Sequence, residues 1–419
     1  MGLGRRSVTA LLAVLGLAVL APQPAGAGVI TTFGAGIPDG ASVAGIAAGP
    51  DGNLWFTETM ADAVARITPA GRVTQFRAGI GEDAGTYGIA AGPDGNVWFT
   101  ERNVDRIARI TPQGVVTEFA AGITSYAHPT DVTAGPDGNL WFTEYYGSRI
   151  GRITPQGVVT EFSAGITPNA GPSKIVAARD GNLWFTESDV DQVARITPAG
   201  VVTEFRAGIG RGSVPSGIAQ GPDGNLWFTE YEAGRVARIT PGGVVTEFDR
   251  GIGANAYPTG IAAGPDGALW FTESGGGCGM CMARIGRITT AGVVTEVTGG
   301  LPTSAEPRAI TAGPDHTLWF TLRGMDAIGR LTPAAAARPA RPAITCTLRR
   351  VAGRWRVTCT VRPAPSAGIA ARLTRNGRTL ARARLSTTGR VVFALTRRPA
   401  AGAYRVVYGA TSLPVRLPG

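Results

Sequence analysis

From residue 29 to residue 333 the chain alternates short apolar–polar segments with turn-forming dipeptides, and the pattern recurs. One unit, "SGIAQGPDGNLWFTEYEAGRVARITPGGVVTEF" (216–248), holds four β-prone segments. "GIAQ" is followed by an Asp-Gly turn, "NLWFTE" by a polar loop, "RVARIT" by a Pro-Gly-Gly turn, and "VVTEF" ends the unit. A period of two places successive side chains on opposite faces of a strand. Asp-Gly and Gly-Gly tolerate the positive φ that tight hairpins require. Tryptophan marks the second segment at 55, 98, 141, 184, 227, 270 and 319; the first six are 43 residues apart and the last gap is 49. Four antiparallel strands repeated seven times predict seven β-propeller blades, and the period-2 patterning excludes a helical solenoid.

The seventh unit stops after "GRLTP" (329–333) and lacks a fourth segment, which occurs instead as "VITTF" (29–33). Pairing the first strand into the last blade closes the ring and removes an exposed edge. Residues 28–333 are therefore expected to form one all-β, seven-bladed propeller. Trp and Phe of each "WF" should fill the two faces between blades. Arg66, Arg109, Arg152, Arg195, Arg238, Arg287 and Arg330 recur in strand three, and Glu58, Glu101, Glu144, Glu187, Glu230 and Glu273 end strand two. A carboxylate repeated six times points to blade-to-blade hydrogen bonding before it points to a cation site.

The flanks differ in composition. Arg5 and Arg6, the apolar run 8–21 and an Ala-x-Ala box ending at Ala27 read as an export signal over 1–27, by the general or the twin-arginine route. A secreted or envelope-associated protein is expected. After an Ala/Pro/Arg linker (334–343), residues 344–419 read as a small all-β domain with an Asn-Gly hairpin. It resembles immunoglobulin-like sandwich modules. Cys346 and Cys359 lie on paired strands and are expected to form a disulfide. Residues 334–419 hold 17 Arg and no Lys, Asp or Glu, whereas residues 1–333 hold 23 basic against 30 acidic residues. GC-rich coding accounts for part of this bias. The basic module suits an anionic cell-envelope polymer, and export argues against nucleic acid.

The unit "GPDGNLWFTE…RIGRITP.G.VTEF" resembles the virginiamycin B (streptogramin B) lyases over essentially all of 29–333, and it lacks the Gly-His and Trp-Asp marks of WD-repeat blades. The resemblance implies a carbon–oxygen lyase, tied to antibiotic resistance, that linearises a cyclic depsipeptide by elimination. A magnesium ion would polarise the ester and a histidine would assist removal of the α proton. Those residues are expected on one rim, at the start of strand one and the end of strand two. In the family's final blade that place reads Glu-Pro-His; here it reads Glu306-Pro307-Arg308. The preceding blade has Pro258-Thr259 in place of Pro-His, and Leu322 stands where the family has a strand-two Glu. Glu306 is the only retained metal candidate. Arg308 stays protonated near neutrality and cannot act as the base. No cofactor is expected, and magnesium only if the family chemistry survives.

One rim position varies from blade to blade: Ala44, Tyr87, Thr130, Ser173, Ser216, Thr259 and Arg308. Such variation suits a mouth tuned to one small-molecule or peptide ligand. Arg308 would hold a ligand carboxylate or phosphate with Glu306 steering it, or the two would form a structural ion pair. The next position is charged in two adjacent blades, which predicts an Asp131–Lys174 salt bridge. His128 lies on the same rim in the third blade, and His316 in a turn on the opposite face. The extra residues of the last gap insert Cys278 and Cys281, read as a loop-stapling disulfide, since nothing completes a zinc set. The leading expectation is a monomeric, ligand-binding propeller without the family's elimination site. The alternatives are an active lyase with a rearranged site around Glu306, Arg308 and His128, and a structural or protein-binding envelope propeller.

Overall fold

The structure is a computed structural model. It describes residues 28–275, 282–297, 299–333, 343–351, 354–362, 370–376, 378–384, 386, 390–395, 402–408 and 411–417. The export segment and the Cys278/Cys281 pair lie outside these residues. The chain divides into two compact units, 1–334 and 335–419.

The first unit is built of seven four-stranded antiparallel sheets. Blade one runs Val43–Ala48, Leu54–Glu58, Ala63–Ile67 and Val73–Phe76. Blade seven runs Pro307–Ala312, Leu318–Leu322 and Ala327–Thr332, and its outer strand is Val29–Phe33. The register of that closing strand, Val29 opposite Thr332 through Phe33 opposite Ile328, joins the two ends of the propeller by backbone hydrogen bonds.

Strand two is buried along its whole length, so both of its faces must find apolar partners. Trp55 packs with Ile89 and Phe99 of the following blade, while Phe56 packs with Trp319 and Ile328 of the preceding one. "WF" thus faces two neighbours at once, as the alternation requires. Each Trp indole N–H is satisfied by the Asp of its own Asp-Gly-type turn, as in Trp55 Nε1 to Asp51 Oδ1 at 3.0 Å.

The strand-three arginines bind blade to blade. Arg66 lies over the rings of Trp55 and Phe76, at 5.5 and 5.6 Å, and donates from Nη1 to the Pro112 carbonyl of the next blade at 2.9 Å. Arg109, Arg152, Arg195 and Arg330 donate likewise to Pro155, Pro198, Pro241 and Pro69, and Arg238 donates to Thr290. Arg287 is the exception. It turns to Asp266 of its own blade at 2.6 Å. Blade seven has no hairpin between strands three and four, because its fourth strand comes from the other end of the chain. The chain runs on from Pro333, which holds the repeat position of Pro112, and Arg287 bonds Asp266 instead of that carbonyl.

The second unit is a β-sandwich. Ala343–Val351, Arg354–Arg362 and Arg390–Leu395 form one sheet; Arg378–Arg384, Ala370–Arg375, Gly402–Tyr408 and Thr411–Leu417, in that order, form the other. The two sheets share a core of Val357, Cys359, Val391 and Phe393 against Ala371, Leu373, Tyr404 and Val406. Third and fourth strands pair in the second sheet, an immunoglobulin-like arrangement. Cys346 and Cys359 form the expected disulfide.

Deletion of residues 28–33 strips the outer strand from blade seven and bares the edge of Ala327–Thr332. The shortened chain is expected to melt at lower temperature and to self-associate in light scattering. Retention of the full-length Tm and a monomeric mass would count against closure by this strand.

Candidate functional site at the channel mouth

The rim is assembled from the ends of two paired strands, as in Pro307 opposite Leu322. In every blade the residue before strand one is left-handed: Ser42, Gly85, His128, Gly171, Val214, Tyr257 and Glu306 all have φ between 45° and 62°. Here the linker from the previous blade's outer strand turns sharply into the inner strand. Aspartates from the preceding blade hold the turn in four cases, accepting the N–H groups of Ser42 (Asp326), Gly85 (Asp62), His128 (Asp105) and Val214 (Asp191).

Two residues further on lie the variable positions. Ala44, Tyr87, Ser173, Ser216, Thr259 and Arg308 line one pocket at the channel mouth, with Lys174 below them. Thr130 does not line it; it is buried, and its hydroxyl donates to the His128 carbonyl at 3.0 Å. The backbone of each of these positions is tied down irrespective of its side chain. The strand-two threonines of neighbouring blades donate to the carbonyls of Tyr87, Ser173, Ser216, Thr259, Arg308 and Ala44. Inner strands approach so closely that a Cβ on Gly260 would sit 2.3 Å from the Arg308 carbonyl oxygen.

Below the mouth, Ile46, Ile89, Ile218, Ile261 and Ile310 ring the channel. Asp131 and Lys174 pair there at 3.0 Å, as the opposite charges predicted, and the second Asp131 oxygen accepts the Ile175 N–H. Burial works to lower the Lys174 ammonium's pKa, but the Asp131 carboxylate outweighs it and the net displacement is upward.

Arg308 reaches the mouth with its Nε buried and without a hydrogen-bond partner. The structural ion pair with Glu306 is not formed. Glu306 occupies the left-handed position ahead of Pro307 and is not among the residues lining the mouth. His128 holds the same repeat position in blade three and does not join Arg308. Its ring lies 4.5 Å from Tyr146 and 6.4 Å from Tyr145, and its Nδ1 is buried and unpartnered. Burial, reinforced by Arg102, lowers the His128 pKa. His316 is exposed in its turn.

The strand-two carboxyls depart from expectation. They are fully buried but bond within their own blades, not between blades. Gln192 donates to Glu187 at 3.2 Å, and Arg284 to Glu273 at 3.5 Å. Their other neighbour is the strand-four glutamate, as Glu118 is for Glu101. Each strand-four glutamate caps the linker entering its blade. Glu118, Glu161, Glu204, Glu247 and Glu296 accept the backbone N–H groups of Gly81, Thr124, Thr167, Gly210 and Gly253.

In blades one and seven the corresponding linker residues are Pro38 and Pro302, which have no N–H, and strand four carries Gln75 and Thr32 there. Arg106 and its counterparts give way in those blades to Ala63 and Ala327. Leu322 therefore ends a blade in which the whole buried carboxyl network is gone: no linker donor, no outer glutamate, no arginine. Its side chain is fully buried. These correlated replacements were visible as prolines 17 residues before the first and last blade tryptophans, a signal that reading each position separately does not pick up.

Residues 78–338 match the virginiamycin B lyase family profile. A solved streptogramin B lyase is 32% identical, covering 73% of this chain and 98% of its own, with a TM-score of 0.67. Selenomethionine-substituted virginiamycin B lyase from Staphylococcus aureus is 34% identical over 73% of this chain and 99% of its own, TM-score 0.66. A catalytically inactive histidine-to-alanine variant of that enzyme, solved with quinupristin, is 34% identical over the same shares, TM-score 0.65. No curated protein sequence matches the chain.

Burial, then the charge of the adjacent strand-four glutamate, pushes Glu101, Glu187, Glu230 and Glu273 up to about 8 and Glu144 to about 9. Glu101 and Glu144 have no donor on either oxygen, so the carboxyl proton itself is the donor that lets each pair share a site. The folded state then keeps protons that the unfolded chain releases above the ordinary value of 4.5, and stability falls as pH rises through that window toward 8–9. On the acid side, donors to Asp94 and its counterparts outweigh burial and lower their pKa, so stability falls again below about 4. Tm should peak near pH 5 and decline steadily toward pH 9; a flat profile over that range contradicts the proton-sharing pairs. Separately, Leu322→Glu buries a carboxyl with no partner network and is expected to cost roughly 3 kcal/mol by denaturant titration. A near-neutral Leu322→Glu would mean that the network is not what sets this position.

Proposed function

The chain belongs to the virginiamycin B lyase family, and from that premise we propose that it is an exported member whose channel mouth binds a small molecule or peptide bearing a carboxylate or phosphate, without the family's elimination chemistry. The observation that carries this reading is the convergence of six of the seven blade-varying residues on one mouth, where the Arg308 Nε is buried and unpaired. A guanidinium stays charged and offers a planar fork suited to carboxylate or phosphate. The hydroxyls of Ser173, Ser216 and Thr259 line the same opening, and Tyr87 supplies a flat apolar wall.

Magnesium takes hard oxygen ligands in near-octahedral order. At the places where the family resemblance puts metal and base, only Glu306 supplies a carboxylate. Thr259 offers a hydroxyl, Leu322 a buried alkyl group and Arg308 a cation. That set does not fit the ion, and a cation two residues from Glu306 opposes it.

The test has two arms. Quinupristin incubated with the protein and magnesium is expected to keep its ring, judged by fragmentation mass spectrometry; mass-neutral ring opening that is lost on Glu306→Gln would overturn the proposal in favour of a rearranged lyase site. In the second arm, phenyl phosphate and phenylacetate are titrated in a thermal-shift assay. A ligand at about 100 times its Kd adds about 2.7 kcal/mol, enough to raise Tm by a few degrees. The shift should vanish in Arg308→Met, and an undiminished shift in that variant rejects the Arg308 site.

A further inference from the structure

The C-terminal unit has a sheet face that the channel-mouth reading does not use. Ala371, Leu373, Tyr404 and Val406 are buried in its core, and Ala381 and Ala383 pack against them. A period of two therefore turns Arg372, Arg382, Arg384 and Arg405 to the opposite side, and all four are exposed. Arg372 and Arg382 are directly opposed across paired strands. Arg405 lies on the adjoining strand, opposite Thr374, two residues along from Arg372. Opposed like charges destabilise a sheet. Residues 334–419 hold no Asp or Glu side chain, so the net charge of this unit is strongly positive. Coding bias accounts for part of the arginine content but not for the lack of Asp and Glu, since residues 1–333 of the same chain carry 30 of them.

We propose that this face is a docking surface for a phosphodiester-linked anionic polymer of the cell envelope. Three neighbouring strands about 5 Å apart, with outward residues about 7 Å apart along each, give a grid of cations able to meet successive phosphates of an extended chain. Two observations favour an envelope polymer over nucleic acid. The Cys346–Cys359 disulfide lies in this unit, and such bonds persist outside reducing compartments. The described outward positions of the sheet (Ala370, Arg372, Thr374, Arg382, Arg384, Ala403, Arg405, Val407) include no aromatic ring on which bases would stack.

The test uses full-length protein and poly(glycerol phosphate), with affinity followed across a sodium chloride series. Replacing all four arginines (Arg372→Gln, Arg382→Gln, Arg384→Gln, Arg405→Gln) should weaken binding at least about tenfold and lower the log–log salt slope by about 3. A control that removes equal charge from the other sheet (Arg349→Gln, Arg354→Gln, Arg356→Gln, Arg390→Gln) should change affinity less than about threefold, and four Arg→Lys changes on the proposed face should retain binding, because phosphate affinity rests on charge. Equal weakening by the two Gln sets would show diffuse attraction and overturn the assignment. So would tighter binding of single-stranded DNA of matched charge, or no binding at low salt. If the Gln variant is unfolded by circular dichroism, the Lys variant and the wild-type salt slope decide between these outcomes.

Discussion

Seven separate sheets become one ring because six of the seven strand-three arginines are held in two directions at once. Each such guanidinium lies over the tryptophan and phenylalanine of its own blade and donates to a turn carbonyl of the next. A charge-assisted hydrogen bond of this kind contributes about 1.5–3 kcal/mol, and the ring contact about 0.5–2 kcal/mol. Much else follows from it. The tryptophan must sit flat beside strand four, so its indole N–H needs the turn aspartate. The strand three–four turn must present a carbonyl outward, which the Pro-Gly-type turn does. Where the ring closes, that turn is missing. Arg287 then falls back on Asp266, and continuity passes to the backbone ladder of Val29–Phe33.

A scaffold held in this way leaves the inner rim free. Threonine hydroxyls from adjacent blades hold the backbone carbonyls of the mouth residues and make no demand on their side chains. Alanine, tyrosine, serine, threonine and arginine are therefore accepted at the same repeat position, and the chemistry of the mouth can change without altering the ring. The neighbouring position is less free, since inner strands meet at glycine in most blades. Where Asp131 and Lys174 replace glycine, they neutralise each other between adjacent inner strands.

The buried carboxyls illustrate a different coupling. In blades two to six each belongs to a chain running from a linker N–H through a strand-four glutamate to the end of strand two. A proline in the linker removes the first donor; blade one then keeps Glu58 on Gln75, whereas blade seven, with Thr32 in place of Gln75, has no donor left for a carboxyl at the end of strand two. Leu322 is intelligible in these terms as packing in a blade without that network. Thr259 and Arg308 have no part in that network: both face the mouth.

The ring and its closing strand could be read from the one-dimensional pattern, because tryptophan spacing and strand alternation are local consequences of strand geometry and the missing last segment stood in plain view at residues 29–33. The Asp131–Lys174 pair was legible for the same reason, since neighbouring blades present equivalent positions side by side. The sequence also marked Ala44, Tyr87, Ser173, Ser216, Thr259 and Arg308 as a set. Only the tertiary structure decided that they share a mouth while Thr130 is withdrawn to bond His128, because that depends on how one linker turns. It also separated Glu306 and His128 from Arg308, and it tied Leu322 to Pro302, Thr32 and Ala327, residues that are far apart in the chain and meet only when the first strand is drawn into the last blade. Alternation along a strand is a property of neighbours in sequence; satisfaction of a buried carboxyl is a property of neighbours in space.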